Sequence, residues 1–156
     1  MRVRLCTVGR LRSGPERDLV TDYLARFDRA GRALSLGPAE EIEVDPRRAQ
    51  GMAAEGDALL RHLGPGGMVC ALDERGSALT SPKFADKLVA WRDAGHSDLA
   101  FVIGGADGLA PAIRERADAS ISLGRMVWPH MLVRVMLAEQ LYRAVSILSG
   151  HPYHRE

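Results

Sequence analysis

Two short, uninterrupted apolar runs constrain the fold of this chain more than any other feature of its sequence. They occupy residues 68–72 (Met-Val-Cys-Ala-Leu) and 99–103 (Leu-Ala-Phe-Val-Ile), and segments with helical periodicity flank both. Apolar runs of this length without polar alternation are typical of strands that are buried on both faces of a parallel sheet. The sequence therefore predicts an α/β fold in which helices cover both faces of a parallel sheet.

The other segments alternate between strand-like and helix-like patterns. Further strands are predicted over 2–8, around 42–44 and over 119–123, with a turn over 73–76. The predicted helices are one behind a Ser13-Gly14-Pro15-Glu16 capping box, one opened by Pro46, one capped by Ser81, a short one over 111–117 and the longest over 131–148. With 156 residues and no repeat or linker, the chain is expected to form one domain over 1–156.

Composition narrows the class of protein but leaves its function open. The net charge of +1 lacks the basic excess typical of nucleic-acid-binding proteins, although a local cluster could still form from Arg10, Arg12, Arg17, Arg47 and Arg48. Both cysteines lie in apolar runs, which predicts buried free thiols. With no signal peptide and no apolar run near ~20 residues, we expect a cytoplasmic protein without a membrane span.

Three strand ends are candidates for a ligand site, because ligands of parallel sheets bind at the carboxyl ends of the strands. These ends are Leu72-Asp73, the glycine-rich segment 104–108 and the apolar loop 123–130. The glycines indicate either a close approach of a ligand to the main chain or only a tight turn. The apolar loop indicates either the wall of a pocket for an adenine ring or a buried connection or subunit interface.

The last seven residues are unusual for a chain end, because 150–156 carries two histidines, a tyrosine and an arginine after the helix stop at Gly150. Such residues stack on bases and bind phosphates, although a frayed end is the alternative. The histidines at 130, 151 and 154 lack acidic or cysteine partners nearby, so we predict no metal site. Glu139 and Arg143 have the spacing of an ion pair within a helix.

Several motifs together resemble the ribosomal RNA large subunit methyltransferase H family, which belongs to the SPOUT class of methyltransferases. The resemblance runs over the whole chain, including its tail. The matching segments are the strand ending at Val8-Gly9, then 102–109, Ser122-Leu123, 128–130, 132–135, 138–144 and 151–156. Two departures are visible: the stretch between Thr80 and Leu99 is slightly long, and Arg125-Met126 varies the usual loop chemistry.

The resemblance implies a trefoil knot in the C-terminal half, a homodimer and the cofactor S-adenosyl-L-methionine. It implies methylation of N3 of a pseudouridine in helix 69 of 23S rRNA, on the assembled 70S ribosome. Carried over residue by residue, the cofactor would contact Leu72, Gly105, Gly124, Arg125, Met126, Val127, Trp128 and Pro129.

The chemistry sets the remaining requirements. The acceptor N3–H is a weak acid, so a base must take its proton before or during attack. His130, His154 and Glu139 are all candidates, and the sequence leaves the choice open. Arg155 could stabilise the developing oxygen charge or grip a phosphate, and Tyr153 could stack on the base. Two alternatives remain: a ribosome-binding factor of this fold without catalytic activity, and a SPOUT enzyme that acts on transfer RNA.

Overall fold

The computed structural model describes residues 1–154, so the catalytic candidate Arg155 lies outside the described residues. Strands and helices alternate along this part of the chain, with a single 3-10 turn at Arg32–Leu34. The strands are β1 (Arg2–Val8), β2 (Ala39–Val44), β3 (Met68–Ala78), β4 (Asp98–Ile103) and β5 (Ala119–Ser122). The helices are α1 (Pro15–Gly31), α2 (Met52–Leu60), α3 (Ser81–Asp93), α4 (Pro111–Arg116) and α5 (His130–Leu148).

The five strands form one sheet in the order β2-β1-β4-β3-β5, and every neighbouring pair is parallel. The predicted α/β fold with a parallel sheet is therefore confirmed. Since all strands run in the same direction, their carboxyl ends meet at one edge of the sheet. The loops after β1, β2, β4 and β5 start at that edge.

Side chains from the sheet alternate between two apolar cores. On β4, Leu99, Phe101 and Ile103 face α1, α3 and α5, whereas Ala100 and Val102 face α2 and α4. The helices on both faces thus explain why the strands are apolar throughout. Cys6 lies in one of these cores and Cys70 in the other. Burial raises the pKa of Cys6 to about 11 and that of Cys70 to about 12. The prediction of buried free thiols is confirmed.

The predicted turn at 73–76 is wrong, because β3 continues to Ala78. After a shift in register, β3 pairs with β5 a second time, with Ser77 opposite Ile121. Gly76 permits this, since a Cβ there would lie 2.6 Å from the main-chain carbonyl carbon of Ile121. The irregularity places Asp73 and Glu74 at the sheet edge instead of in a free loop.

Three predicted helix starts are also wrong. Helix α1 begins at Pro15, so its N-cap is Gly14, one residue past the serine of the expected capping box. Helix α2 begins at Met52 and not at Pro46, because Arg47 folds back in a turn and binds Asp45. Thr80 caps α3 by accepting a hydrogen bond from the Lys83 N–H, which leaves Ser81 free to bind elsewhere.

Candidate active site

A cavity of about 710 Å³ opens at the carboxyl edge of the sheet, above β4, β3 and β5. Its walls come from three segments, 72–75, 103–109 and 121–130, except for Arg125, together with Arg114 and Val133. Cavities of roughly 300–1,000 Å³ are typical of small-molecule and cofactor sites. The structure thus joins the three strand ends that the sequence singles out into one site.

The first two glycines of segment 104–108 have different roles. A Cβ on Gly104 would lie 2.3 Å from the Gly108 carbonyl oxygen, so the turn itself excludes a side chain there. The Gly108 N–H closes this turn on the Gly105 oxygen at 3.1 Å. Gly105 lines the cavity, and its Cβ would meet mainly the tip of Glu55, at 2.8 Å. The tight turn therefore explains Gly104, whereas Gly105 forms part of the cavity lining.

The loop after β5 presents apolar side chains to solvent. Met126, Val127 and Trp128 are 72%, 87% and 38% exposed, and all three line the cavity. The Ser122 hydroxyl anchors the loop, since it donates to the Gly124 carbonyl at 2.9 Å and accepts from the Gly124 N–H at 3.2 Å. Adjacent apolar side chains left uncovered in one loop indicate a surface that binds a ligand or a partner.

His130 begins α5 and also lines the cavity. Its imidazole is close to Gly9, where a Cβ would lie 3.9 Å from both His130 Nε2 and Arg134 Nη2. Burial lowers the pKa of His130 below its usual value, and the positive charge of Arg134 lowers it further. The imidazole is therefore neutral at physiological pH and has a free nitrogen lone pair.

Arg134 is buried at 1% exposure and ties α5 to the ends of β1 and β2. Its guanidinium donates to the carbonyls of Val8 and Gly9, at 2.8 and 2.6 Å, and to Glu43 at 3.0 Å. The same Glu43 oxygen accepts from Arg17 at 2.7 Å. Sequence patterns do not single out this residue, although an arginine within the apolar face of a helix is a usable signal.

Replacing Arg134 should therefore destabilise the protein. The Arg134→Met variant leaves Glu43 and the neighbouring Glu41 half-buried with one cation fewer, and breaking such a pair costs about 3–5 kcal/mol. Urea denaturation should show this loss in the free energy of unfolding. Arg61→Met, at an exposed position, is the matched control and should change the free energy by less than about 0.5 kcal/mol. Equal stability of the two variants would contradict the assignment.

Asp73 and Arg114 fix the opposite side of the cavity. Arg114 Nε donates to Asp73 Oδ2 at 2.7 Å, and the Arg75 N–H donates to Oδ1 at 2.9 Å. Burial by itself would raise the pKa of Asp73, but these two hydrogen bonds outweigh it and hold the pKa below its usual value. This carboxylate is therefore ionised and held in a fixed orientation at the rim.

The tail folds back on its own α5 and on α1. The Tyr153 hydroxyl donates to Glu139 at 3.0 Å and lies 3.5 Å from that of Tyr23. Burial and these two hydrogen bonds raise the pKa of Tyr153 well above its usual value. Arg143 donates to Glu139 at 2.9 Å, which confirms the predicted ion pair, and stacks over the Tyr153 ring at 4.9 Å. Arg143 also contacts the His154 ring at 3.5 Å.

The structure thus separates the sequence-predicted residues into two groups. His130 lies in the cavity with seven of the cofactor candidates: Leu72, Gly105, Gly124, Met126, Val127, Trp128 and Pro129. Arg125 belongs to the same loop but is exposed and does not line the cavity. Glu139 lines a second, mainly apolar cavity of about 560 Å³ between α1, α3 and α5, and neither cavity is lined by Tyr153 or His154.

Two further properties bear on the class of protein. Within residues 1–154, no group of three or more His, Cys, Asp or Glu side chains is arranged to hold a metal ion. None of the helices in that described part combines the length and the apolar character needed to cross a membrane.

Comparison with known proteins shows which family the chain is related to. A family described as predicted SPOUT methyltransferase matches residues 1–154. The chain is 64% identical over 155 residues to the ribosomal RNA large subunit methyltransferase H of Dinoroseobacter shibae, covering 99% of each chain. Proteins of the same name in Ruegeria sp. (strain TM1040) and Cereibacter sphaeroides are each 63% identical, again over 99% of both chains.

Among solved structures, a probable methylase family protein from Haemophilus influenzae Rd KW20 aligns with a TM-score of 0.54. The alignment covers 99% of this chain and 70% of the other, at 13% identity, and so supports the fold alone. Fold and family match together define the class of SPOUT methyltransferases. Within that class, the chain belongs to the ribosomal RNA large subunit methyltransferase H family.

Proposed function

We propose that this protein is a homodimeric, cytoplasmic S-adenosyl-L-methionine-dependent methyltransferase of large-subunit rRNA. The target is N3 of a pseudouridine in helix 69 of 23S rRNA, methylated on the assembled 70S ribosome. The observation that carries the proposal is the cavity, because it unites an uncovered glycine main chain with an apolar loop in a chain of this family. The names of the relatives support rRNA as the substrate class.

The residues present fit this cofactor. Gly105 leaves the main chain open to a nucleoside, and Met126, Val127 and Trp128 offer apolar surface for an adenine ring. The volume of about 710 Å³ suits a molecule of that size. When bound, the cofactor supplies a methyl group that its sulfonium charge already activates.

The work of the protein is to position the acceptor and to take its proton. Holding two reactants in place can supply roughly 7–11 kcal/mol of the barrier. Of the base candidates, Glu139 is bound by Arg143 and Tyr153, and neither Glu139 nor His154 lines this cavity, whereas the neutral His130 does. We therefore assign proton acceptance from N3–H to His130.

The dimer and the knot are carried over from the family. The dimer has independent support in three exposed apolar side chains on α1 and α5, Leu19, Met131 and Leu132, at 43%, 42% and 39% exposure. An interface on these two helices would remove the three side chains from water. A two-fold dimer would pair this surface with its own copy.

Two measurements test the function. Calorimetric titration with S-adenosyl-L-methionine should show binding, whereas an inert ribosome-binding factor need not bind it. Mass spectrometry of digested RNA should then locate the new methyl group on 23S rRNA after incubation with 70S ribosomes. Methylation of transfer RNA in place of ribosomal RNA would support the alternative SPOUT substrate and overturn the rRNA assignment.

The role of His130 predicts a specific pH dependence. Because its pKa is lowered, the imidazole stays neutral down to a pH below 6.5, and the rate of methyl transfer should fall only below that point. His130→Gln should lower kcat by about 10²–10⁴-fold, the usual contribution of a general base, and remove this acid limb. A pH profile of single-turnover rates measures both effects. A variant that keeps the limb would assign the proton to another group.

Free RNA should be a poor substrate. With a net charge of only +1, the protein neutralises few phosphates, so affinity for isolated RNA should be weak and its salt dependence shallow. Recognition should come from the shape of the assembled ribosome. Filter binding and methylation of a synthetic helix 69 hairpin, compared with 70S ribosomes, test this. Efficient methylation of the naked hairpin would contradict it.

A further inference from the structure

Resting on the proposed function, we propose that Arg10, Arg12 and Arg48 form a phosphate-binding surface that holds the RNA backbone beside the cavity. The topology brings these residues together. Arg10 and Arg12 follow β1, and Arg48 follows β2. Because the sheet is parallel, both loops lie at the same edge as the cavity. Strands are ~4.8 Å apart, so β1 is the direct neighbour of β4 and β2 lies one strand further away.

Three acidic residues of this edge, Glu41, Glu43 and Asp45, are paired with other arginines. Glu41 and Glu43 are held by the buried Arg134 and the half-buried Arg17. In the loop after β2, Arg47 neutralises Asp45 at 3.2 Å. The ion pairs of Glu41 and Glu43 are thus mostly buried, whereas that of Asp45 is more exposed.

The arginines that remain have few carboxylates within reach. Arg10 is 86% exposed, and the nearest carboxylate oxygen, from Glu43, lies 3.8 Å from its Nε atom. Arg12 and Arg48 are exposed, and within residues 1–154 neither has a carboxylate within 4.0 Å. Glu16 and Asp18 also lie near this edge, in the first turn of α1, where the helix dipole stabilises them. The exposed charged side chains of the loops after β1 and β2 are therefore all arginines, although the whole chain carries only +1.

Phosphate is the chemistry that fits this surface. The guanidinium group binds phosphate oxygens through two parallel hydrogen bonds, and it keeps its charge at every relevant pH. An RNA strand whose base enters the cavity must pass its neighbouring phosphates along the same sheet edge. Three such contacts are few enough to agree with weak binding of free RNA, yet sufficient to set the register of a docked strand.

The test compares two double variants that remove the same charge. Arg12→Gln with Arg48→Gln changes the proposed surface, and Arg32→Gln with Arg61→Gln changes exposed arginines at the opposite edge. Each phosphate contact contributes about 0.7–0.9 to the logarithmic salt slope. Between 50 and 200 mM KCl at constant Mg²⁺, wild type and control should lose roughly 7- to 12-fold more kcat/KM on 70S ribosomes than the surface variant. Cofactor affinity should be equal in all three.

The outcomes separate this proposal from the proposed function. If the surface variant keeps the wild-type salt slope, the arginines do not bind phosphate, although methylation by the wild type would still support the enzyme. If cofactor affinity falls in the surface variant alone, these arginines serve the cavity and the proposal is overturned. If the wild type methylates no RNA, the proposed function fails, and cosedimentation with ribosomes still tests the surface by the same salt comparison. Equal cosedimentation of both variants would then reject it.

Discussion

Gly105→Val is expected to abolish binding of S-adenosyl-L-methionine while the protein still folds. The new Cβ would lie 2.8 Å from the tip of Glu55 and 3.3 Å from Val8 Cγ1. The Glu55 side chain can swing away, but Val8 belongs to the packed end of β1. The valine therefore displaces the end of β4 and disturbs the main chain that the cofactor should approach. Overpacking of this kind costs about 1–3 kcal/mol, which most domains survive.

Calorimetric titration and a thermal melt measure the two halves of this prediction. Gly66→Val is the matched control, because a Cβ there meets nothing within 4 Å and the residue lies in the turn before β3, away from the cavity. The control should bind the cofactor like the wild type. A folded Gly105→Val protein with unchanged binding heat would remove this strand end from the cofactor site.

The sequence predicts the sheet well, because its signals are local. The apolar runs at 68–72 and 99–103 are correctly predicted as buried strands. Most helices begin within one or two residues of their predicted starts. The errors have a common origin in tertiary structure. Strand β3 extends through 73–76 only because β5 pairs with it again, and no local pattern records that pairing. The start of α2 is likewise delayed by the Arg47–Asp45 turn.

The residues of the site likewise divide into those with a local sequence signal and those that depend on tertiary contacts. Glycine 105 and the loop 124–129 are recognisable from their position at strand ends and from the family resemblance. The buried Arg134 network is not, because it joins α5 to β1 and β2 over more than 90 residues of chain. Equally, the sequence nominates Glu139 as a base, whereas its contacts with Arg143 and Tyr153 make it an anchor for the tail. Partners distant in the sequence decide what each carboxylate does.

The position of the tail raises the question of which cavity it serves. Tyr153 and His154 pack on α5 and α1 of their own chain, and neither lines that chain's cavity. Exposed apolar residues lie on the same two helices, Leu19 on α1 and Met131 and Leu132 on α5. If those helices form a two-fold interface, the tail of each subunit is carried toward its partner. We therefore predict that Tyr153, His154 and Arg155 complete the partner's active site.

Deleting residues 151–156 should consequently abolish methyl transfer and leave cofactor binding largely intact. None of the described residues that the deletion removes, 151–154, lines the cavity, and the structural cost among them is the Tyr153 hydrogen bond and stacking, about 1–2 kcal/mol. Titration with S-adenosyl-L-methionine and a methylation assay on 70S ribosomes measure the two effects separately. A deletion variant that retains methyl transfer would show that the tail is dispensable.

Mixing the deletion variant with Gly105→Val decides between action within a subunit and action across the interface. Each homodimer should be inactive, since one lacks tails and the other lacks working cavities. In a mixed dimer, the intact cavity of the deletion subunit meets the intact tail of the Gly105→Val subunit. Random exchange makes about half of the dimers mixed, each with one working site of two, so roughly a quarter of normal activity should return. If labelled subunits exchange and no activity returns, the tail does not act across the interface.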